Sequence, residues 1–496
     1  MKNYLDLKDI YTLFETVQKS EIFEDQKMMA DLVPKYNISE IIKMYEKKKN
    51  SPDFVLKDFI LQNFIVLESV KDEMKFSKKA LAIDEHIEKL WDELTKVASE
   101  NKGTLLMLPK PYIVPGGRFN EFFYWDSYFI MLGLQCSGRL EMMKNIVENC
   151  SYLIENFGFV PNASRSYFLS RSQPPYFSMM LDLMYEMTND KNIYIKYFKT
   201  MQKEYDFWMD GLEETDNGCA VKRVVKTKSG DILNRYYDNE NKPRPESYII
   251  DVKDAEISGN PEFFRNIRAA CESGWDFSSR WFKDGETIQN IHTLDLVQVD
   301  LNCLLWHLEA TLSKTAKLKG DRELEKMYEE YAVKRKFNIQ KYFWDHEKGI
   351  YKDFDLQDNK VTSSEHIATL YPLFFGLSTR HQAEYVAENL VNKFLKPGGL
   401  VTTTKESGQQ WDFPNAWAPY QWIGFIAMKN YNFNDIASKI KYNWCSNVER
   451  VYENTGKLME KYNAMDVHSI AGGGEYPNQD GFGWTNGVYS KLKRSK

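Results

Sequence analysis

Four stretches of the 496-residue chain mix carboxylates, guanidinium groups and amides with aromatic rings. The first is PGGRFNEFFYWDSYF, Pro115 to Phe129. Gly116 and Gly117 allow a tight turn there, ahead of Arg118, Glu121 and Asp126 set among Phe119, Tyr124 and Trp125. The second, PNASRSYFLSRSQPP from Pro161 to Pro175, carries two arginines and two amides in a turn-rich context. The third runs from Pro243 to Phe282 and holds PRPESY and SGWDFSSRWF, the latter around Asp276. The fourth, EKYNAMDVHSIAGGGEYPNQDGFGWTNGV from Glu460 to Val488, places six of the 26 glycines between Gly472 and Gly487, among Glu475, Tyr476, Asp480 and Trp484. Guanidinium forks and amides can bind many hydroxyls at once, and flat rings stack on apolar sugar faces. The combination suits a sugar ligand.

Each stretch taken alone has a plainer explanation. Two glycines before an arginine make a turn, and a Trp-Asp pair is a buried indole beside a capping carboxylate. Asp276 can cap the Ser-Ser turn that follows it, and Glu460 can be a solvated charge beside Lys461. A glycine run is ordinarily a linker, but Tyr476, Phe482 and Trp484 are large apolar groups that water would penalise. That run is expected to fold over a ligand as a lid, from Ala471 to Gly487.

The elements that must position these residues read as helices. In the stretch from Val297 to Leu318, Val297, Leu301, Leu304, Leu305, Leu308 and Leu312 share one face, and Gly320 follows as a stop. Similar runs are expected at Lys8–Lys19, Ile38–Lys49, Ala80–Ser99, Leu140–Phe157, Tyr176–Thr188, Ile193–Leu212, Asp321–Tyr342, Arg380–Lys393 and Asn434–Thr455. Period-2 alternation is rare; Ala220 to Val225 followed by Asn234 to Tyr237 would form one ribbon. No G-x-G-x-x-G or Walker loop is present. A solenoid would repeat a motif in every helical hairpin, and none recurs. Long loops rich in rare residues favour a toroid whose loops meet over one site.

Composition sets the remaining bounds. A net charge of −6 without a sustained basic run argues against nucleic acid. Apolar stretches fall short of a membrane span. The first residues lack the apolar core of a secretory signal, and six scattered cysteines form no CxxC pair, so a cytoplasmic protein is expected. Seven histidines without an HxH or HxxxH pair give no expectation of a metal or other cofactor.

Together the segments resemble trehalase, glycoside hydrolase family 37. Pro115 to Tyr128 follows the family signature PGGRFxExYxWDxY, with Phe123 where the pattern has Tyr; QWDFPNAWAP, Gln410 to Pro419, matches the second, QWDxPxxWxP. GGGEYPNQDGFGWTNGV and the N-terminal LFETVQKSEIFEDQKMMADLVPKY are similar too, so the likeness runs from about Leu13 to Val488. The resemblance implies an all-α fold, an (α/α)6 barrel with long loops over a central site. It also implies hydrolysis of α,α-trehalose to two glucose molecules with inversion, Asp276 being the general acid and Glu460 the general base. Positions matching the family's sugar contacts are Arg118, Trp125, Asp126, Asn162, Arg171, Ser172, Gln173, Arg244, Pro245, Glu246, Gly274 and Glu475. The Phe123 departure removes one hydroxyl and, on this reading, no contact to sugar.

The expectation is one catalytic domain over residues 1–496, with a helical segment of about 100 residues packed on the barrel, working as a monomer without nucleic acid or membrane. Competing readings are another disaccharide-acting (α/α)6 enzyme, an α-glucosidase or phosphorylase, or a non-catalytic trehalose sensor. Retention of both Asp276 and Glu460 speaks against the sensor.

Overall fold

In the helix Leu140–Phe157, Met143, Ile146, Val147, Cys150, Leu153 and Ile154 are buried along one stripe, and Gly158 ends the helix in a left-handed conformation. The computed structural model, which describes residues 4–66, 81–469 and 471–496, contains six barrel helices with one buried face. In chain order these take odd labels: α1 Ile83–Glu93, α3 Leu140–Phe157, α5 Phe198–Trp208, α7 Arg322–Phe343, α9 Arg380–Asn389 and α11 Asn434–Thr455. Six more alternate with them along the chain: α2 Tyr124–Cys136, α4 Phe177–Thr188, α6 Val299–Lys319, α8 Tyr371–Phe374, α10 Ala418–Asn430 and α12 Gly483–Arg494. Each even helix packs on the next, and α12 returns to α2, closing a ring inside the odd-numbered layer. This is the expected (α/α)6 barrel.

α2 is apolar nearly all round and is buried from Tyr124 through Leu134. Ring closure between α2 and α12 depends on glycine. A Cβ on Gly487 would sit 2.0 Å from the Phe129 carbonyl oxygen, and one on Gly133 would sit 2.6 Å from the Gly487 Cα. Side chains there would force the helices apart.

The expected helix from Ile193 to Leu212 is two, Asn192–Lys196 and α5. The expected ribbon is three short antiparallel strands, Cys219–Val221, Val224–Lys226 and Ile232–Asn234, because Lys222 turns the chain with φ 48°.

A smaller core lies under the N-terminal helices Tyr11–Lys19, Ile38–Lys48 and Leu56–Asn63. Leu13, Phe14, Ile41, Phe59 and Ile60 pack there with Ala163, Tyr167, Phe168 and Tyr248 from the barrel loops. Phe14 meets Tyr248 edge to face at 5.7 Å. Within this N-terminal part, residues 1–3 and 67–80 lie outside the described residues. No helix among the described residues is long and apolar enough to cross a membrane.

Candidate active site

The long loops precede the even helices, so their residues gather at the N-terminal ends of the inner ring. There they enclose a cavity of about 90 Å³. It is lined by Arg118, Trp125 and Asp126 ahead of and within α2, by Asn162, Arg171 and Gln173 ahead of α4, and by Arg244, Glu246, Gly274 and Asp276 ahead of α6. Glu460 and Glu475, ahead of α12, complete this set. Two of the sequence-derived positions stay off the cavity. The Ser172 hydroxyl donates to the Val160 carbonyl at 2.7 Å, with the Gln173 carbonyl 3.2 Å away. Pro245 faces a separate cleft with Tyr11 and Tyr248.

The two carboxyl groups proposed for chemistry have different surroundings. Burial pushes the Asp276 carboxyl up to about 7; Glu475 and Glu460 push the same way, against Arg244 and its own backbone N–H. At neutral pH such a group is substantially protonated. Glu460 is 2% exposed, and its Oε1 accepts from the Tyr476 hydroxyl at 2.9 Å. Among the described residues its Oε2 accepts no hydrogen bond, while the Lys461 ammonium lies 3.9 Å away. Burial raises the Glu460 carboxyl above its ordinary value, with Lys461, Tyr476 and Arg118 opposing. Asp126 shares the cavity: burial lifts it well above the carboxylate range, and Glu460 and Asp276 add to the lift.

Arginines brace the walls. Arg244 grips Asp251 through Nε and Nη2 and donates to Glu475 Oε1 at 2.7 Å, while Ser247 donates to Glu475 Oε2 at 2.8 Å. Arg171 donates to Glu246 Oε1 at 2.8 Å. Burial pushes Glu246 up, but Arg171 and Arg244 outweigh it and hold the carboxyl below its ordinary value. Asn162 spends its amide on the carbonyls of Ser172 and Cys271, at 3.3 and 3.1 Å. Gly274 must be glycine: it has φ 79°, and a Cβ would lie 2.8 Å from the Trp125 ring.

The glycine-rich segment is closed over the cavity, with Glu475 latched as described and the Tyr476 ring 5.4 Å from Phe119. Its extent differs from the expected one. Gly483 to Gly487 begin α12, where Trp484 is 4% exposed, so the segment outside the helix is 471–482.

Several lining residues had no assigned role in the sequence. The second signature supplies Trp411 and Trp417, stacked at 3.9 Å and 3°. Neighbouring Gln410 is a junction: its Nε2 donates to the Asp276 carbonyl, and its Oε1 accepts from Lys461 Nζ at 2.9 Å. Conformity to that signature was the available signal. Lys27 also lines the cavity from the N-terminal segment, and nothing in its spacing marks it. Phe123 also lines the cavity, with its ring 5.3 Å from Phe119.

The family model for trehalase matches residues 12–494. A periplasmic trehalase of Escherichia coli is 42% identical over 485 residues, 97% of this chain and 85% of the relative. A solved neutral trehalase of Saccharomyces cerevisiae aligns with TM-score 0.64 at 27% identity, over 84% of this chain and 80% of that one. A GH63 mannosylglycerate hydrolase of Thermus thermophilus shares the fold at TM-score 0.54 and 17% identity, over 83% of this chain and all (100%) of that one. The expectation of a cytoplasmic protein is overturned by the curated relatives, which are periplasmic. The cysteines carried no such information. All six are unpaired and four are buried, and thiols without a partner in reach form no bridge in an oxidising compartment either.

Proposed function

The chain belongs to the trehalase family, and from that premise we propose that it hydrolyses α,α-trehalose to two glucose molecules with Asp276 as general acid and Glu460 as general base. The observation carrying this assignment is the contrast between two carboxyl groups on one cavity. Asp276 is poised near neutrality to give a proton to the bridging oxygen. Glu460 holds one oxygen on Tyr476 and leaves Oε2 without a hydrogen bond among the described residues, able to take a proton from an attacking water. An acid that still holds its proton near neutrality and a carboxylate with an open oxygen can together carry both steps of acetal cleavage.

In this reading the mechanism inverts. Water attacks one anomeric carbon from the face opposite the leaving oxygen, and the acid protonates that oxygen as the bond breaks. With substrate bound, the two carboxyl groups should stand about 6.5–9.5 Å apart, leaving room for the water. Arg118, Asp126, Asn162, Gln173, Arg171, Arg244 and Glu246 offer donors and acceptors to the hydroxyls, and Trp125 an apolar face. The whole chain acts as one catalytic domain with the N-terminal helical segment packed on the barrel. It works as a monomer, independent of nucleic acid and membrane; sedimentation at assay concentration checks the oligomeric state.

Both carbons of trehalose are α. Attack gives β-glucose from one half and leaves α-glucose from the other, so fresh product should contain the two anomers equally. Proton NMR before mutarotation reads this directly, and α-glucose alone would overturn the inverting assignment. A phosphorylase would instead yield a glucose phosphate when phosphate is supplied.

A further inference from the structure

Arg118 is held from outside the barrel. Its Nη2 donates to Asp25 Oδ1 at 2.7 Å. Asp25 sits in the N-terminal segment, where its Oδ1 also accepts from the Lys27 backbone N–H at 2.9 Å and its carbonyl from that of Met28 at 3.0 Å. The strip that follows is fixed to the first signature loop by buried charges. Lys27 pairs with Asp31 and, at 3.0 Å, with Glu121; Arg165 reaches both carboxylates at 3.2 Å. On its other side the Arg118 guanidinium lies 4.7 Å from the centre of the Tyr476 ring. Tyr476 in turn donates to Glu460. A continuous line of contacts therefore joins an N-terminal carboxylate to the carboxylate assigned as base.

We propose that Asp25 is a positioning residue of the active site, holding Arg118 against Tyr476 and, through that ring, orienting the Glu460 carboxylate. The inference rests on the role given to Glu460 above. It makes the N-terminal segment a working part of the site as well as a packing layer. A guanidinium free of Asp25 has other carboxylates within its field, Glu475 and Asp31, and would leave the ring.

The charges around Glu460 make the consequence readable. Burial raises its carboxyl; Lys461, Tyr476 and Arg118 lower it, and its charge is felt by Asp126 and Asp276 across the cavity. If Arg118 leaves, one lowering influence goes, and Glu460 titrates at higher pH. A base must be deprotonated, so the acidic limb of kcat/KM should move to higher pH.

The test is Asp25→Asn, which keeps an oxygen for the Lys27 N–H and removes only the charge. The Asp25 side chain is 39% exposed, so the substitution opens no buried hole. We expect kcat/KM to fall about tenfold, the order of one charge-assisted hydrogen bond, with an unchanged thermal midpoint and an acidic limb shifted upward. Asp25→Glu should recover part of the loss. Unchanged kcat/KM with an unmoved acidic limb would reduce Asp25 to a surface ion pair. Loss of activity accompanied by a lower thermal midpoint and an unmoved limb would overturn the inference equally, as plain destabilisation. Wild-type turnover of trehalose and the Glu460→Gln variant test the underlying roles separately. If those hold while Asp25→Asn is silent, only the positioning role fails.

Discussion

Replacing Glu475 by Gln should unlatch the loop 471–482 and retune the acid in one step. The closed loop is held by Arg244 at 2.7 Å on Oε1 and Ser247 at 2.8 Å on Oε2. An amide keeps one acceptor and loses the charge, removing a charge-assisted bond worth about 1.5–3 kcal/mol. Glu475 is 19% exposed, so solvent screening favours the lower end, about tenfold in the closing equilibrium. Closure matters because Glu475 and Tyr476 of this loop line the cavity beside Asp276 and Glu460. If the loop closes around substrate, a weaker latch should lower kcat/KM about tenfold. The same carboxylate helps hold Asp276 up near 7, so removing it lowers the acid. The sign follows. Asp276 acts protonated, activity is lost as pH rises through its titration, and a lower titration point moves the alkaline limb to lower pH. Glucose release across pH reads both effects, and hydrogen exchange of the loop with and without a trehalose-like inhibitor reads closure. An unmoved alkaline limb, or equal protection in both states of the wild type, would refute the reasoning.

Asp276→Asn and Glu460→Gln should each lose at least about 10²-fold in kcat while the circular dichroism spectrum stays native, since each removes one proton-transfer group. Arg171→Ala, at a guanidinium 1% exposed, should lower kcat/KM by more than about tenfold by freeing Glu246, and unchanged kinetics would make the arginine merely structural. Trp411→Ala removes the middle ring of the stack with Trp417 and Trp275, and urea denaturation should show a loss of about 3–5 kcal/mol.

Sequence alone determined the helices that face solvent on one side. Leu140–Phe157 and Asn434–Thr455 are legible to the residue because burial on one face leaves a three- and four-residue rhythm, with a glycine after the last turn. It also determined which residues could do sugar chemistry, since long signatures fix type and order together. Tertiary structure decided what periodicity cannot carry. Helices α2 and α10 are surrounded by protein, so their residues are largely apolar all round and no stripe marks them; the glycines of α12 even read as a loop, although Gly487 is there to let two helices touch. Only the fold brings Gln410 beneath the Asp276 carbonyl and Asp25 beside Arg118. Asp25 and Arg118 are 93 positions apart, and nothing local fixes their meeting. The titration of Asp276 belongs to the same class: a carboxyl in a sequence has its ordinary value, and burial beside two other carboxylates is a property of the closed ring and its loops.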